Sequence, residues 1–83
     1  MSNMNATVRD VLAQHAKLSV DVARLSDFDD LFGAGLTSLS TVTVMLALED
    51  TFETEFPELM LSRRTFTSIE SICEALTELS VMA

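Results

Sequence analysis

Residues 30–52 decide the fold, because a glycine-containing loop runs there directly into a strongly apolar segment: DLFGAGLTSLSTVTVMLALEDTF. The β-branched residues at 41–44 would also suit a strand, but the Met-Leu-Ala-Leu-Glu-Asp run that follows them favours a helix. Thr37 or Ser38 can cap the start of this helix, and a proline follows shortly after its end. We therefore predict a helix at about residues 38–53.

Helical spacing of apolar residues also recurs near both ends of the chain. It predicts a first helix at about residues 6–17 and a last helix at about 68–80, the latter opened by a capping box at Thr67-Ser68-Ile69-Glu70. A short helical turn at Met60–Arg64 completes the set. The predicted fold class is all-α: a small four-helix bundle with a long loop between helices 1 and 2 and a short third helix, in one domain over residues 1–83.

The loop between the first two predicted helices, residues 18–37, is longer than most connections in compact domains. It contains regularly spaced apolar residues, which we expect to anchor it to the bundle: Leu18, Val20, Val22, Leu25, Phe28, Leu31 and Phe32.

Charge and composition narrow the range of functions. Thirteen acidic residues against five basic ones give a formal net charge of −8, which disfavours binding to nucleic acid and to anionic membrane surfaces. The same charge is compatible with partners that have basic docking surfaces, or with a role in solubility alone. Because the sequence has a single cysteine, Cys73, it predicts neither an internal disulfide nor a CxxC metal motif.

The chain also lacks signals for a membrane. Its longest apolar stretch, residues 44–48, is far shorter than the ~20 residues that span a bilayer. Residues 1–6 have neither the basic region nor the apolar run of a signal peptide. We expect a soluble, cytoplasmic protein that does not bind membranes.

Ser38 is the candidate functional residue, since a hydroxyl at a helix N-terminus is well placed to carry a phosphate-linked group. The alternative is that Ser38 only caps the helix. A serine hydrolase is disfavoured, because the chain has one histidine, His15, and lacks the second glycine of a nucleophile elbow. His15 is interpreted as a structural residue on a helix face, and Cys73 as a small core residue of the last helix.

A cluster of acidic residues spans the end of the second predicted helix and the segment after it, but its spacing does not match a calcium-binding loop: Glu49, Asp50, Glu53, Glu55 and Glu58. The sequence therefore predicts neither a metal site nor an active site. We expect a protein that is not an enzyme.

The segment from Asp30 to Phe56, and more loosely the whole chain, resembles the acyl carrier protein family. Members of that family carry 4′-phosphopantetheine on a serine in a Gly-x-x-Ser-Leu motif at the start of their second helix. Matching residues occur here in the same order and spacing: Gly35-Leu36-Thr37-Ser38-Leu39, Val42, Met45 to Glu49, Phe52 and Phe56-Pro57.

Two departures indicate a subgroup. Thr37 stands where the family usually has aspartate, and Ser40 and Thr43 stand where fatty-acid carriers bear acidic residues. The run Leu31-Phe32-Gly33-Ala34-Gly35-Leu36-Thr37-Ser38 is similar to that of D-alanyl and other aminoacyl carrier proteins. The resemblance therefore implies partners other than the usual enzymes of fatty-acid synthesis, and a small aminoacyl cargo.

The resemblance also implies the cofactor, the partners and the docking surface. A phosphopantetheinyl transferase would attach the arm from coenzyme A to Ser38, and an aminoacyl or acyl ligase would load the thiol of the arm as a thioester. An acceptor enzyme would then take the cargo from the carrier. We expect the carrier to be a monomer. Residues expected to contact partners are Leu36, Thr37, Leu39, Val42 and Leu46, whereas Met45, Leu48, Phe52 and Phe56 are expected to face the core. The alternative function is an unmodified helical interaction module that uses the same apolar surface.

Overall fold

Helices joined by loops and turns make up the described part of the chain. A computed structural model describes residues 4–82, and no β-strand occurs in that range. Its three α-helices are α1 (Met4–His15), α2 (Ser38–Phe52) and α3 (Ile69–Met82), and two short 3₁₀ helices cover Val22–Arg24 and Glu58–Met60. The all-α prediction is confirmed. No signal peptide is predicted in residues 1–6, and residues 1–3 of that stretch lie outside the described residues.

The predicted short helical turn at Met60–Arg64 is confirmed only in part, because a 3₁₀ turn is present but lies earlier in the chain. The 3₁₀ helix at Glu58–Met60 ends before most of that range, and the residues after it form turns closed by i→i+3 hydrogen bonds, such as the one from the Phe66 amide to the Arg63 carbonyl (3.1 Å). These turns bring Phe66 into the core and the Thr67 carbonyl to the Leu31 amide, at 2.7 Å. The described fold is therefore three α-helices joined by ordered turns.

The ends of α1 and α3 differ slightly from the prediction, for local reasons. Helix α1 ends at His15 because Lys17 adopts a left-handed conformation, with φ of 53°, which an α-helix cannot contain. Ser68, not Thr67, caps α3: its hydroxyl accepts the Ser71 amide at 3.1 Å. The Thr67 hydroxyl instead donates to the Arg63 carbonyl, at 2.9 Å.

The core is formed by residues from all three α-helices and from the connections between them. The largest fully buried side chains are Val8 and Leu12 of α1, Leu31 of the loop, Val44 and Leu48 of α2, and Ile69 and Ile72 of α3. Burying each of these contributes about 1.5–3 kcal/mol relative to leaving it in water. Leu48 and Phe56 are buried and Met45 and Phe52 are partly buried, so their predicted inward orientation is confirmed.

The segment after α2 is fastened to the helix through Glu49 and Phe56. The Glu49 carboxylate accepts the Phe56 amide at 2.8 Å, and the Phe56 ring packs edge-on against Phe66, with centroids 5.5 Å apart. The segment that carries Phe66 therefore lies beside α2.

The long loop before α2 packs on the helices as predicted, although not through every expected residue. Val22 and Leu31 are buried and Leu18, Leu25 and Phe32 are partly buried, whereas Val20 and Phe28 are exposed. Those two predicted anchors are therefore wrong. The loop turns repeatedly, so regular spacing along the sequence does not keep its side chains on one face.

Polar contacts hold the same loop to α1. Arg9 and Asn5 both donate to the Asp27 carboxylate at 2.8 Å, and the Asp27 carbonyl accepts the Glu70 amide of α3 at 2.9 Å. Hydrogen bonds from Asn5 and then Arg9 hold the pKa of Asp27 below its ordinary value of 3.8. Asp27 therefore links α1, the loop and α3, and favours the folded state when it is ionised.

Candidate functional site

The N-terminus of α2 is capped by Thr37, not by Ser38. The Thr37 hydroxyl accepts the Ser40 amide at 3.1 Å, and the Ser40 hydroxyl accepts the Thr37 amide at 3.0 Å. These reciprocal bonds form a capping box, with serine in the place of the usual glutamate or glutamine. Ser38 is the first residue inside the helix.

The Ser38 hydroxyl differs from its neighbours because the helix does not use it. Four of the first five residues at this end carry hydroxyls, and those of Thr37 and Ser40 are engaged in the cap. The Thr41 hydroxyl donates to the Thr37 carbonyl at 2.6 Å. Ser38 is exposed, and within residues 4–82 its hydroxyl makes no hydrogen bond. The interpretation of Ser38 as only a cap is therefore wrong.

Gly35 sets the path of the loop that delivers Ser38. It has φ of +117°, and a Cβ placed on it would lie 2.9 Å from the Ser19 backbone nitrogen. That close approach permits Ser19 to donate to the Ala34 carbonyl from both its amide (2.9 Å) and its hydroxyl (2.8 Å). Only glycine fits this position without strain, which explains why a glycine stands three residues before Ser38.

An open groove of about 350 Å³, lined by residues of α2 that include Ser38 and by residues of the segment before α3, lies beside the start of α2. Its lining includes Ser38, Val42 and Met45 on α2, and Phe32, Arg63 and Phe66 opposite. The Arg63 guanidinium carbon lies 4.0 Å from the centroid of the Phe32 ring, a cation–π contact. The sequence did not single out Arg63 or this groove, because Arg63 is 25 positions from Ser38 and belongs to no motif.

An exposed apolar surface continues from Ser38 along α2. Leu39 is 82%, Val42 50% and Leu46 55% exposed, as predicted for side chains that contact partners, and Thr37 is also exposed. Leu36 is only 4% exposed and belongs to the core, so its predicted place on the partner surface is wrong. Its amide bonds to the Leu31 carbonyl at 2.9 Å, and this turn directs the side chain inward.

The described residues contain no catalytic arrangement around Ser38. His15 is half-buried at the end of α1 and lines a second cleft, with Lys17 and Thr37, to which Ser38 does not contribute. Within residues 4–82 no hydrogen bond joins His15 to Ser38, and no group of His, Cys, Asp and Glu could hold a metal ion. Among the described residues, the hydroxyl of Ser38 thus has no base beside it.

Cys73 is only partly buried, so its predicted place inside the core is not fully correct. It packs against the core but also lines a shallow cleft on α3 with Glu70, Glu74 and Glu78. Burial, followed by the negative charges of Asp27 and Glu70, raises the pKa of the Cys73 thiol. The thiol therefore stays protonated and unreactive at neutral pH.

Comparison with known proteins assigns the chain to a family. Residues 6–76 match the model of the family described as "Phosphopantetheine attachment site". The chain belongs to the phosphopantetheine-binding carrier protein family. An aminoacyl carrier protein of Agrobacterium fabrum (strain C58 / ATCC 33970) is 44% identical over 69 residues, which are 83% of this chain and 83% of that protein. The predicted resemblance, with its inclination towards aminoacyl carriers, is confirmed.

Solved structures of carrier proteins support the same family assignment. The chain is similar to a carrier protein from Agrobacterium tumefaciens crystallised with ATP and an engineered glycine:[carrier protein] ligase of Bradyrhizobium japonicum, with a TM-score of 0.88, 40% identity, and coverage of 90% of this chain and 97% of that one. A holo acyl carrier protein from Nitrosomonas europaea aligns over the full length of both chains, with a TM-score of 0.79 and 26% identity. The protein is therefore a carrier that works through a phosphopantetheine arm and is not itself an enzyme.

The residues at the start of α2 fit that cofactor. Attachment needs an accessible hydroxyl that the fold does not use, and Ser38 provides it at a helix end that favours a phosphate. When bound, the arm supplies the thiol that holds the cargo as a thioester. The interpretation of the chain as an unmodified interaction module is not supported by the family match. None of the helices in residues 4–82 is long and apolar enough to cross a membrane.

Proposed function

We propose that the carrier bears its phosphopantetheine arm on Ser38 and receives an amino acid there from an ATP-dependent ligase. The observation that carries this proposal is the state of the hydroxyls at the start of α2. Thr37, Ser40 and Thr41 are engaged in helix hydrogen bonds, whereas Ser38 is exposed and unengaged. Modification of Ser38 therefore costs the fold no hydrogen bond, and modification of Thr37 would open the capping box.

Attachment of the arm requires a separate transferase. A serine hydroxyl is a weak nucleophile at neutral pH, and within residues 4–82 no base lines the groove beside Ser38 to activate it. In the transfer, the Ser38 oxygen forms a new bond to the phosphorus atom next to the pantetheine of coenzyme A. Adenosine 3′,5′-bisphosphate leaves, and the transferase removes the hydroxyl proton. The exposed Ser38 gives such an enzyme access without unfolding of α2.

An amino acid is the cargo that the comparisons favour. The relative that is 44% identical is an aminoacyl carrier protein, and a 40% identical carrier was crystallised with an engineered glycine:[carrier protein] ligase. The surface of α2 also agrees, since residues 38–48 carry no charge, in contrast to the acidic helix that fatty-acid carriers present. A small polar cargo also requires no enlarged cavity in the core.

The ligase and the downstream acceptor are proposed to dock on the apolar surface beside Ser38. Thr37, Leu39, Val42 and Leu46 are all exposed there, and a patch of this kind fits an apolar partner surface. We propose that the carrier acts as a monomer and that residues 1–83 form one domain. The cytoplasmic location stays a prediction from the sequence.

Loading assays test the proposal. The holo protein is incubated with ATP, a panel of amino acids and the Bradyrhizobium japonicum glycine:[carrier protein] ligase, and in parallel with fatty acids and an acyl ligase. Intact mass should increase by one aminoacyl group, and Ser38→Ala should gain neither arm nor cargo. Loading with medium or long acyl chains but with no amino acid would contradict the proposed cargo.

A further inference from the structure

Arg63 contributes a positive charge to the groove that Ser38 lines. It is exposed, and it lines the same groove as Ser38, opposite α2. Its guanidinium group rests on the Phe32 ring at 4.0 Å, which limits its conformations and keeps it at the groove. Within residues 4–82, Arg63 forms no ion pair, since the one salt bridge found there joins Arg9 to Asp27. Its charge is available for an anion.

The groove has an unusual charge for this protein. The chain has a formal net charge of −8, yet none of the residues that line the groove is acidic, and Arg63 is its one charged residue. The cleft on α3 shows the contrast, because it contains Glu70, Glu74 and Glu78. An anionic group tethered at Ser38 is therefore attracted towards the groove and repelled by other parts of the surface.

We propose that Arg63 binds the phosphodiester of the arm on Ser38 and thereby positions the arm along the groove. This inference rests on the proposed attachment to Ser38. The phosphodiester is the one anionic group of the arm, and a guanidinium group donates well to phosphate oxygens. Because the phosphate is bonded directly to the Ser38 oxygen, it must lie close to Ser38, which lines the same groove as Arg63.

The rest of the groove suits the rest of the arm. Val42, Met45 and Phe66 give it an apolar floor, which can receive the gem-dimethyl group that follows the phosphate in pantetheine. An aminoacyl cargo carries an ammonium group, which Arg63 repels, so the cargo end does not compete with the phosphate for Arg63. The arm would then lie with its thiol beyond the groove, where a partner enzyme can reach it.

The second cleft near the start of α2 is the competing location. It contains the cation Lys17 and has a volume of about 320 Å³. Ser38 does not line this cleft, however, and the hydroxyls of Thr37 and Ser40 within it are already engaged in the capping box. Arg63 and Lys17 can therefore be distinguished by substituting each in turn.

Methionine-methyl NMR of the holo protein can test this position. The chain has five methionines, of which Met45 lines the groove and Met60 does not. With the arm attached, the Met45 methyl signal should shift relative to the apo protein and show contacts to the pantoyl methyls, while the Met60 signal changes little. Arg63→Gln should lower the ratio of docked to free arm about two- to fivefold, as expected for an exposed ion pair.

Three controls make the result specific. Arg64→Gln removes the same charge from the adjacent residue, which does not line the groove, and Lys17→Gln removes the competing cation. Both should leave the Met45 shift unchanged. Added salt should reduce that shift in the unaltered holo protein, so the inference can be tested even without a folded Arg63 variant. Equal Met45 shifts in wild-type and Arg63→Gln holo proteins, or no response to salt, would overturn it.

Mass spectrometry keeps this test separate from the attachment proposal. If Ser38 is not modified by transferase and coenzyme A, the proposed attachment site is wrong and the NMR experiment has no holo sample. If Ser38 is modified but Arg63→Gln and Arg64→Gln have the same Met45 shift, only the role of Arg63 is wrong. A partner carboxylate would then be the alternative anion for Arg63, and Arg63→Gln would weaken loading by the ligase without altering the free holo protein.

Discussion

Replacing Thr37 and Ser38 separately with alanine tests which of these two adjacent hydroxyls caps α2 and which is free for modification. Thr37→Ala removes the oxygen that accepts the Ser40 amide at 3.1 Å and breaks the capping box. Loss of such a cap costs about 0.5–2 kcal/mol. For a domain of this size, each 1 kcal/mol lowers the melting temperature by roughly 4–8 °C.

Ser38→Ala should behave differently, although the two residues are neighbours of similar chemistry. The Ser38 hydroxyl is exposed and makes no hydrogen bond within residues 4–82, and alanine is a better helix former than serine. The free energy of unfolding of the apo protein should therefore stay within about 0.5 kcal/mol of wild type. A stable Ser38→Ala variant that cannot be modified would show that this hydroxyl serves function alone.

Urea unfolding of both apo variants, followed by circular dichroism, gives the comparison directly. The slope of free energy against urea should stay unchanged, so that the midpoints report stability alone. A destabilisation by Ser38→Ala that equals or exceeds that of Thr37→Ala would refute the assignment of the cap to Thr37. It would also remove the argument that Ser38 is free for modification.

Three further changes test the loop, the pH dependence and the docking surface. Gly35→Ala should destabilise by about 1–3 kcal/mol in urea unfolding, because alanine is strained at φ of +117°; an unaffected midpoint would refute the close packing there. Asp27→Asn should lower the melting temperature near neutral pH, because the hydrogen bonds that lower the pKa of Asp27 stabilise the folded state only while Asp27 is ionised. The difference in melting temperature between variant and wild type should shrink as the pH falls below about 3.8, and a difference that stays constant with pH would contradict this. Val42→Asp should reduce kcat/KM for loading by about tenfold, the factor equivalent to 1.4 kcal/mol, and by more than Glu53→Gln does. A larger effect of the glutamate change in the same kinetic assay would indicate docking through charge.

The sequence predicted the elements whose signals are local. The spacing of apolar residues located α2 closely, because the observed helix runs from Ser38 to Phe52 and the prediction was residues 38–53. Signals from single residues were less reliable. The sequence predicted Thr67 as the capping residue of α3, but the observed cap is Ser68. Both residue types are good caps, and only the packing of the preceding turn selects between them.

Other features depend on where the loop lies in space, and sequence spacing did not predict them. Leu36 lies within the Gly35–Leu39 motif but is directed into the core by the turn that starts at Leu31. Phe28 matches the apolar spacing of the loop but is exposed. Arg63 lies at the groove of Ser38 because the segment before α3 folds back beside α2, and the separation of the two residues along the chain hides this relation.

The attachment of the arm is tested most directly by mass spectrometry of the protein after incubation with coenzyme A and a phosphopantetheinyl transferase. Wild-type protein should gain the mass of one phosphopantetheine, fragmentation should place it on Ser38, and Ser38→Ala should remain unmodified. Thr37→Ala is the matched control, since it removes the neighbouring hydroxyl and should still be modified. Modification of Ser38→Ala, or a fragment that places the arm on Thr37 or Ser40, would contradict the assignment of Ser38.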